Sequence, residues 1–144
     1  MSIMNRENEI FYFYRGSYMG GDLLYQIVNI DDRFVLKGCA HNEFCWMNDI
    51  AFEIPEEEID KLIKRLSPVL KWKRKYGVEY EVDDGYGWDI RFKYKDVRIK
   101  TGGYEKYPKD YYRVIKRLQR FVERLGAKYN EEYQKEGYKE RIEL

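Results

Sequence analysis

The sequence predicts an α+β fold, an antiparallel sheet built from two hairpin-then-helix units with the helices packed on one face. Residues 88–101 alternate apolar and charged side chains, and an amphipathic helix pattern follows them. The first half repeats that order more loosely. A chain of 144 residues, 44% of them hydrophobic, suits one domain with its own core. We expect that core to span about 9–125, with 127–144 as a surface helix or a loose tail.

The first unit contains three β-prone segments and a helix. Residues 10–14 are β-prone, and segments 23–30 and 33–40 flank a turn at Asp31-Asp32. A helix is predicted from Pro55, with glutamates in its first turn that suit the helix dipole. Its apolar stripe consists of Ile59, Leu62, Ile63 and Leu66.

The second unit begins with the clearest pattern in the chain. Its alternating apolar residues are Trp88, Ile90, Phe92 and Tyr94, and the charged ones between and after them are Asp89, Arg91, Lys93 and Lys95. A turn at Lys95-Asp96 leads to a second segment in which Val97 and Ile99 alternate with Arg98 and Lys100. The period of two predicts a hairpin with one apolar and one basic face, ended by Gly102-Gly103.

The last predicted element is an amphipathic helix. Tyr107-Pro108 marks its start, because proline is favoured in the first helical turn. Apolar residues then recur at spacings of three and four as far as Leu125. Gly126 follows directly, where glycine commonly ends a helix in a left-handed conformation.

Charge is unevenly distributed along the chain, although the net charge is only +1. Residues 1–60 contain 4 Lys/Arg and 12 Asp/Glu, whereas residues 61–128 contain 20 and 9. A basic block of this kind indicates an anionic partner, or attraction between the two halves, or charges that mix on an ordinary solvated surface.

We therefore predict a non-enzymatic protein that binds a macromolecular partner stoichiometrically. Such a protein is an adaptor or an inhibitor, for example an antidefence protein of a mobile element. The expected partner is a protein with an acidic surface. Tyrosines in predicted turns are expected to contribute to the contact surface with the partner, because tyrosine offers apolar area and a hydroxyl group at low entropic cost. The predicted contact residues are Arg91, Lys93, Arg98, Lys100, Tyr104, Tyr107, Arg113, Arg117 and Arg120.

Two alternatives stay open. The basic block 61–128 also suits nucleic acid, although the sequence has no known nucleic-acid-binding motif. An enzyme of unrecognised type is the other alternative, with Cys39, His41 and Cys45 as its reactive groups. These three residues also resemble a metal site, because thiolates and imidazole bind zinc. The chain has no further Cys or His to complete a tetrahedral site, so we expect neither a metal nor a cofactor.

Localisation is predicted from what the sequence lacks. No segment has the 18 to 20 consecutive apolar residues of a membrane span, and the polar residues 1–8 do not resemble a signal peptide. Two cysteines do not form a disulfide framework. We expect a cytoplasmic protein without a membrane partner, and the oligomeric state stays open.

Segments 84–94 and 99–111 resemble a pattern in a family of small uncharacterised bacterial proteins. In that family, a glycine-led strand pair ends in a Ser/Thr-Gly-Tyr segment and a Tyr-Pro pair opens the final helix. The corresponding residues here are Gly85, Gly87, Trp88, Thr101, Gly102, Gly103, Tyr104, Tyr107 and Pro108. The resemblance implies a hairpin-and-helix domain. It carries over no catalytic residue, because the family has no assigned activity.

Overall fold

A seven-stranded sheet forms the framework of the protein. The computed structural model describes residues 6–17, 21–41, 50–77 and 86–130. The strands lie in the order β4-β3-β2-β1-β6-β7-β5. Their bounds are β1 Glu9–Ser17, β2 Gly21–Ile30, β3 Arg33–His41, β4 Ile50–Ile54, β5 Lys75–Gly77, β6 Gly87–Tyr94 and β7 Val97–Tyr104. The helices are α1 Glu56–Arg65 and α2 Tyr111–Tyr129, with short 3-10 helices at Arg6–Asn8 and Ser67–Lys71.

Both predicted hairpins are present. Asp31 and Asp32 have positive φ angles in the turn between β2 and β3, and the Asp32 amide donates a hydrogen bond to the side chain of Asn29. The turn between β6 and β7 has Lys95 at positive φ. Two-residue loops with positive φ match the twist of the strands that they join.

The predicted arrangement of two hairpin-then-helix units in a purely antiparallel sheet is wrong in two respects. The sheet is mixed, because β5 pairs in parallel with β7, whereas every other neighbouring pair is antiparallel. The described residues of the first half also form four strands before α1, and β1 pairs with β6 to join the two halves. Strand β5 has only three residues and pairs with the distant β7, so local periodicity does not indicate it. Strand β4 alternates buried and exposed residues but is only five residues long.

The hydrophobic core lies between one face of the sheet and the helices. We call this the inner face and the opposite one the outer face. Strand residues such as Phe13, Ile90 and Phe92 join helix residues such as Ile59 and Phe121 in a single buried cluster. The predicted α+β layers, with helices on one face, are therefore present.

Helix α2 continues through Gly126 and ends at Tyr129, so the predicted end at Gly126 is wrong. Gly126 is buried inside the helix, and its carbonyl accepts a hydrogen bond from the Asn130 amide. The additional turn allows the Tyr129 hydroxyl to donate a hydrogen bond of 2.8 Å to Glu58 Oε2 on α1. Residues 127–129 of the expected tail are thus helical, and 131–144 lie outside the described residues. In the described stretches, neither helix is both long and apolar enough to cross a membrane.

Candidate partner-binding surface

The basic residues of the β6–β7 hairpin share the outer face. Arg91 lies opposite Lys100, and Lys93 lies opposite Arg98. Their apolar neighbours Phe92 and Tyr94 are buried on the inner face, 2% and 6% exposed. The alternation of the sequence therefore predicts the faces of this hairpin correctly, and it positions four cations side by side.

Arg91 is already engaged by carboxylates. Its Nε donates to Glu9 Oε1 at 3.0 Å, and one terminal nitrogen donates to Asp89 Oδ2 at 2.9 Å. The guanidinium also lies 3.7 Å from the ring centroid of Tyr12. Burial lowers the pKa of Arg91, but the hydrogen bond and charge of Glu9 outweigh that effect and raise the pKa overall. Arg91 is therefore a structural cation and adds little to an attractive surface.

A bulge in β1 creates this arrangement. The register shifts between Glu9 and Phe11, so Glu9 pairs with Val28 and points to the outer face. There its carboxylate also accepts a hydrogen bond of 2.8 Å from Gln26, a fully buried side chain. Sequence reasoning missed this network, because Glu9 and Arg91 are 82 residues apart.

Three exposed cations remain on the outer face of the hairpin. We call Lys93, Arg98 and Lys100 the basic ridge. The Arg98 guanidinium lies near the turn and donates a hydrogen bond of 2.8 Å to the carbonyl of Val97. In the described parts of the chain, no carboxylate forms an ion pair with any of the three. The basic ridge is thus positively charged and open to solvent.

The basic residues of α2 lie on the other side of the molecule. Helix α2 packs on the inner face, so its solvent side points away from the ridge. Arg113 lies 3.6 Å from Asp110, and Arg124 lies 3.7 Å from the buried Glu58. Lys128, in the last turn of α2, lies 3.9 Å from the same Glu58. The remaining exposed cations of α2 are Lys116, Arg117 and Arg120, which we call the helix stripe. The predicted contact residues therefore divide into two surfaces and do not form one.

The two tyrosines predicted to contact the partner, Tyr104 and Tyr107, also lie on opposite sides of the sheet. Pairing with Gly87 places Tyr104 on the outer face, at the far end of β7 from the turn. Tyr107 belongs to an aromatic cluster on the inner side, whose members are Trp72, Tyr76, Trp88, Tyr107, Tyr111 and Tyr112. Burial raises the pKa of Tyr107 and of Tyr111. Tyr107 is half-buried, and Tyr112 is the most exposed ring of the cluster.

A groove runs beside the basic ridge. It has a volume of about 630 Å³. Its lining includes Arg98 and Lys100 from the outer face and Ile99 from the inner face of β7. Leu70 and Trp72, in and just after the second 3-10 helix, form the apolar side of the groove, and Leu70 is 56% exposed. The groove thus combines positive charge with an accessible apolar surface.

The cysteine-histidine segment is only partly described. Cys39 is a half-buried residue of β3, and His41 ends that strand. The side chain of His41 and the whole of Cys45 lie outside the described residues. Among the residues that are described, no group of three or more His, Cys, Asp or Glu side chains is placed to hold a metal ion.

No protein-family model matches the chain, and no curated protein matches it either. The similarity to a family of small bacterial proteins therefore stays a prediction from the sequence.

Proposed function

We propose that the protein is a non-enzymatic binding module that holds an acidic protein partner in a stoichiometric complex through the basic ridge. The observation that carries this proposal is the position of Lys93, Arg98 and Lys100 on one exposed face, without an acidic partner among the described residues.

The surroundings of the ridge favour a protein partner. An interface needs a desolvated apolar centre as well as charge, and the groove supplies Leu70 and Trp72 next to the cations. Cations around such a centre mainly accelerate and orient association. An adaptor or an inhibitor requires such a surface and no catalytic group.

Charge reversal tests the proposal. The variant Lys93→Glu/Arg98→Glu/Lys100→Glu is expected to bind an identified partner at least about tenfold more weakly, since three exposed ion pairs contribute ~0.5 kcal/mol each. The matched control is Lys116→Glu/Arg117→Glu/Arg120→Glu, which changes the net charge equally on the other surface. Titration calorimetry of both variants with the partner gives affinity and stoichiometry. Undiminished binding by the ridge variant contradicts the proposal.

The helix stripe favours nucleic acid as a second candidate. Lys116, Arg117 and Arg120 lie on consecutive turns of the exposed side of α2, where cations are positioned to contact successive phosphates. In the described stretches these three side chains form no ion pair.

Salt dependence tests this second candidate. Neutralising three phosphates of duplex DNA gives a slope of about −2.7 when log affinity is plotted against log salt concentration. We expect Lys116→Ala/Arg117→Ala/Arg120→Ala to flatten that slope and the corresponding ridge variant to leave it unchanged. Fluorescence anisotropy with labelled duplex DNA measures it. No binding to the wild-type protein at low salt eliminates this function.

A further inference from the structure

We propose that the free edge of β7 accepts an extended acidic segment of the partner as an additional strand. This inference rests on the proposed function, because it specifies how the partner of the basic ridge docks. The free edge is the segment Val97–Lys100.

The pairing of β7 leaves this edge open. On one side β7 pairs with β6 along its whole length, whereas β5 covers the other side only from Gly102 to Tyr104. No strand within the described ranges pairs with Val97–Lys100 on that side. An edge strand without a neighbour presents backbone donors and acceptors to another chain.

The alternation of backbone hydrogen bonds along β7 identifies the amides and carbonyls that point toward the open edge. The Gly102 amide donates to the carbonyl of Arg74, so it points away from β6. Backbone groups of an antiparallel pair alternate in direction with a period of two. The amides and carbonyls of Arg98 and Lys100 therefore also point toward the open edge. Two residues with outward groups permit a short ladder, about 13 Å long for four residues.

The side chains beside the edge determine what the added strand must contain. Arg98 and Lys100 project from the outer face, so they favour acidic residues on that side of the added strand. On the inner side, Ile99 and the exposed Leu70 line the groove, and they favour apolar residues. The occupant is thus an extended segment in which acidic and apolar residues alternate.

Charge also argues against a second copy of this edge as the occupant. Two copies of the edge placed side by side bring Arg98 and Lys100 of both copies together, and like charges at an edge oppose such pairing. An acidic segment replaces this repulsion with attraction. The same cations therefore select an acidic strand.

A defined peptide tests the inference. The probe is a capped peptide of about six residues in which Glu and Val alternate. We expect it to bind and to slow hydrogen exchange of the Arg98 and Lys100 amides in the wild-type protein. A peptide with the same composition in two blocks, and one that alternates Lys and Val, are the controls and are expected not to protect these amides. Failure of the Glu-Val peptide to bind, or binding without protection, overturns strand addition.

A pair of variants separates charge from backbone pairing. Lys100→Ala removes the charge and keeps the outward amide, whereas Lys100→Pro removes both, and proline is tolerated at solvent-facing positions of an edge strand. We expect Lys100→Pro to bind the peptide about fivefold more weakly than Lys100→Ala, as the loss of one backbone hydrogen bond requires. Equal affinities overturn strand addition. The charge-reversal experiment on the basic ridge is independent of this comparison. The proposed function fails only if the charge-reversed variant binds the partner with undiminished affinity.

Discussion

Replacement of Trp88 by alanine is expected to lower the free energy of unfolding by about 3–5 kcal/mol, as for other large aromatic side chains removed from a core. Trp88 is 3% exposed and lies at the centre of the aromatic cluster, with its ring centroid 4.9 Å from that of Tyr111 and 5.7 Å from that of Trp72. Its indole N–H donates to the carbonyl of Lys106 at 2.9 Å. The substitution therefore removes ring contacts on several sides and leaves that carbonyl without its donor.

Urea denaturation of the variant measures the effect. Tyr112→Ala is the matched control, because Tyr112 contacts the same cluster but is 67% exposed. We expect the control to lose less than about 1 kcal/mol. A Trp88→Ala variant that unfolds at the wild-type midpoint shows that the cluster does not hold α2 to the sheet.

Trp88 also explains why the sequence predicts the end of the second hairpin incorrectly. The sequence predicts that Gly102-Gly103 ends the strand, whereas β7 continues to Tyr104. Gly103 lies opposite Trp88, and a Cβ atom there would come within 2.7 Å of the indole nitrogen. The glycine provides space for the ring and does not break the strand. Composition alone does not distinguish these two roles.

The elements that the sequence predicts correctly depend on neighbouring residues. The β6–β7 hairpin follows from alternation and a two-residue turn, and α2 follows from one apolar stripe. Strand β4 has the same alternation in its burial, but it is only five residues long and pairs with β3 across a chain segment that lies outside the described residues. Strand β5 has three residues and forms only beside β7. Tertiary pairing, not local propensity, therefore determines β5.

The candidate site, like the fold, is predictable from the sequence only where it depends on neighbouring residues. Alternation places the hairpin cations on one face, and the structure agrees. Which of them is neutralised depends on Glu9, whose position requires both the pairing of β1 with β6 and a bulge in β1. The side of the molecule on which α2 presents its cations depends on how the helix packs. These are properties of the folded chain, so the sequence predicts one surface, whereas the folded chain presents two.

Loss of Arg91 is expected to destabilise the fold by about 3 kcal/mol, because it leaves a buried carboxylate without its main counter-charge. The side chains of Glu9 and Arg91 are only 6% and 15% exposed, so water compensates little for the lost contact. In the Arg91→Met variant, Gln26 still donates to Glu9, but the positive charge is absent. The matched control is Arg33→Met, which removes one partner of the Arg33–Glu53 pair, in which both side chains are largely exposed. That control should unfold close to the wild-type midpoint.

A double-mutant cycle distinguishes an unpaired charge from lost packing. Glu9→Gln removes the charge that Arg91 neutralises, so Glu9→Gln/Arg91→Met is expected to be more stable than Arg91→Met alone by about 1–2 kcal/mol. Additive effects of the two substitutions in chemical denaturation contradict the ion-pair explanation. Since Arg91 lies beside the basic ridge but is not part of it, the folded double variant is expected to bind the partner with nearly wild-type affinity. A large loss of affinity in that variant instead makes Arg91 a contact residue and extends the ridge toward β1.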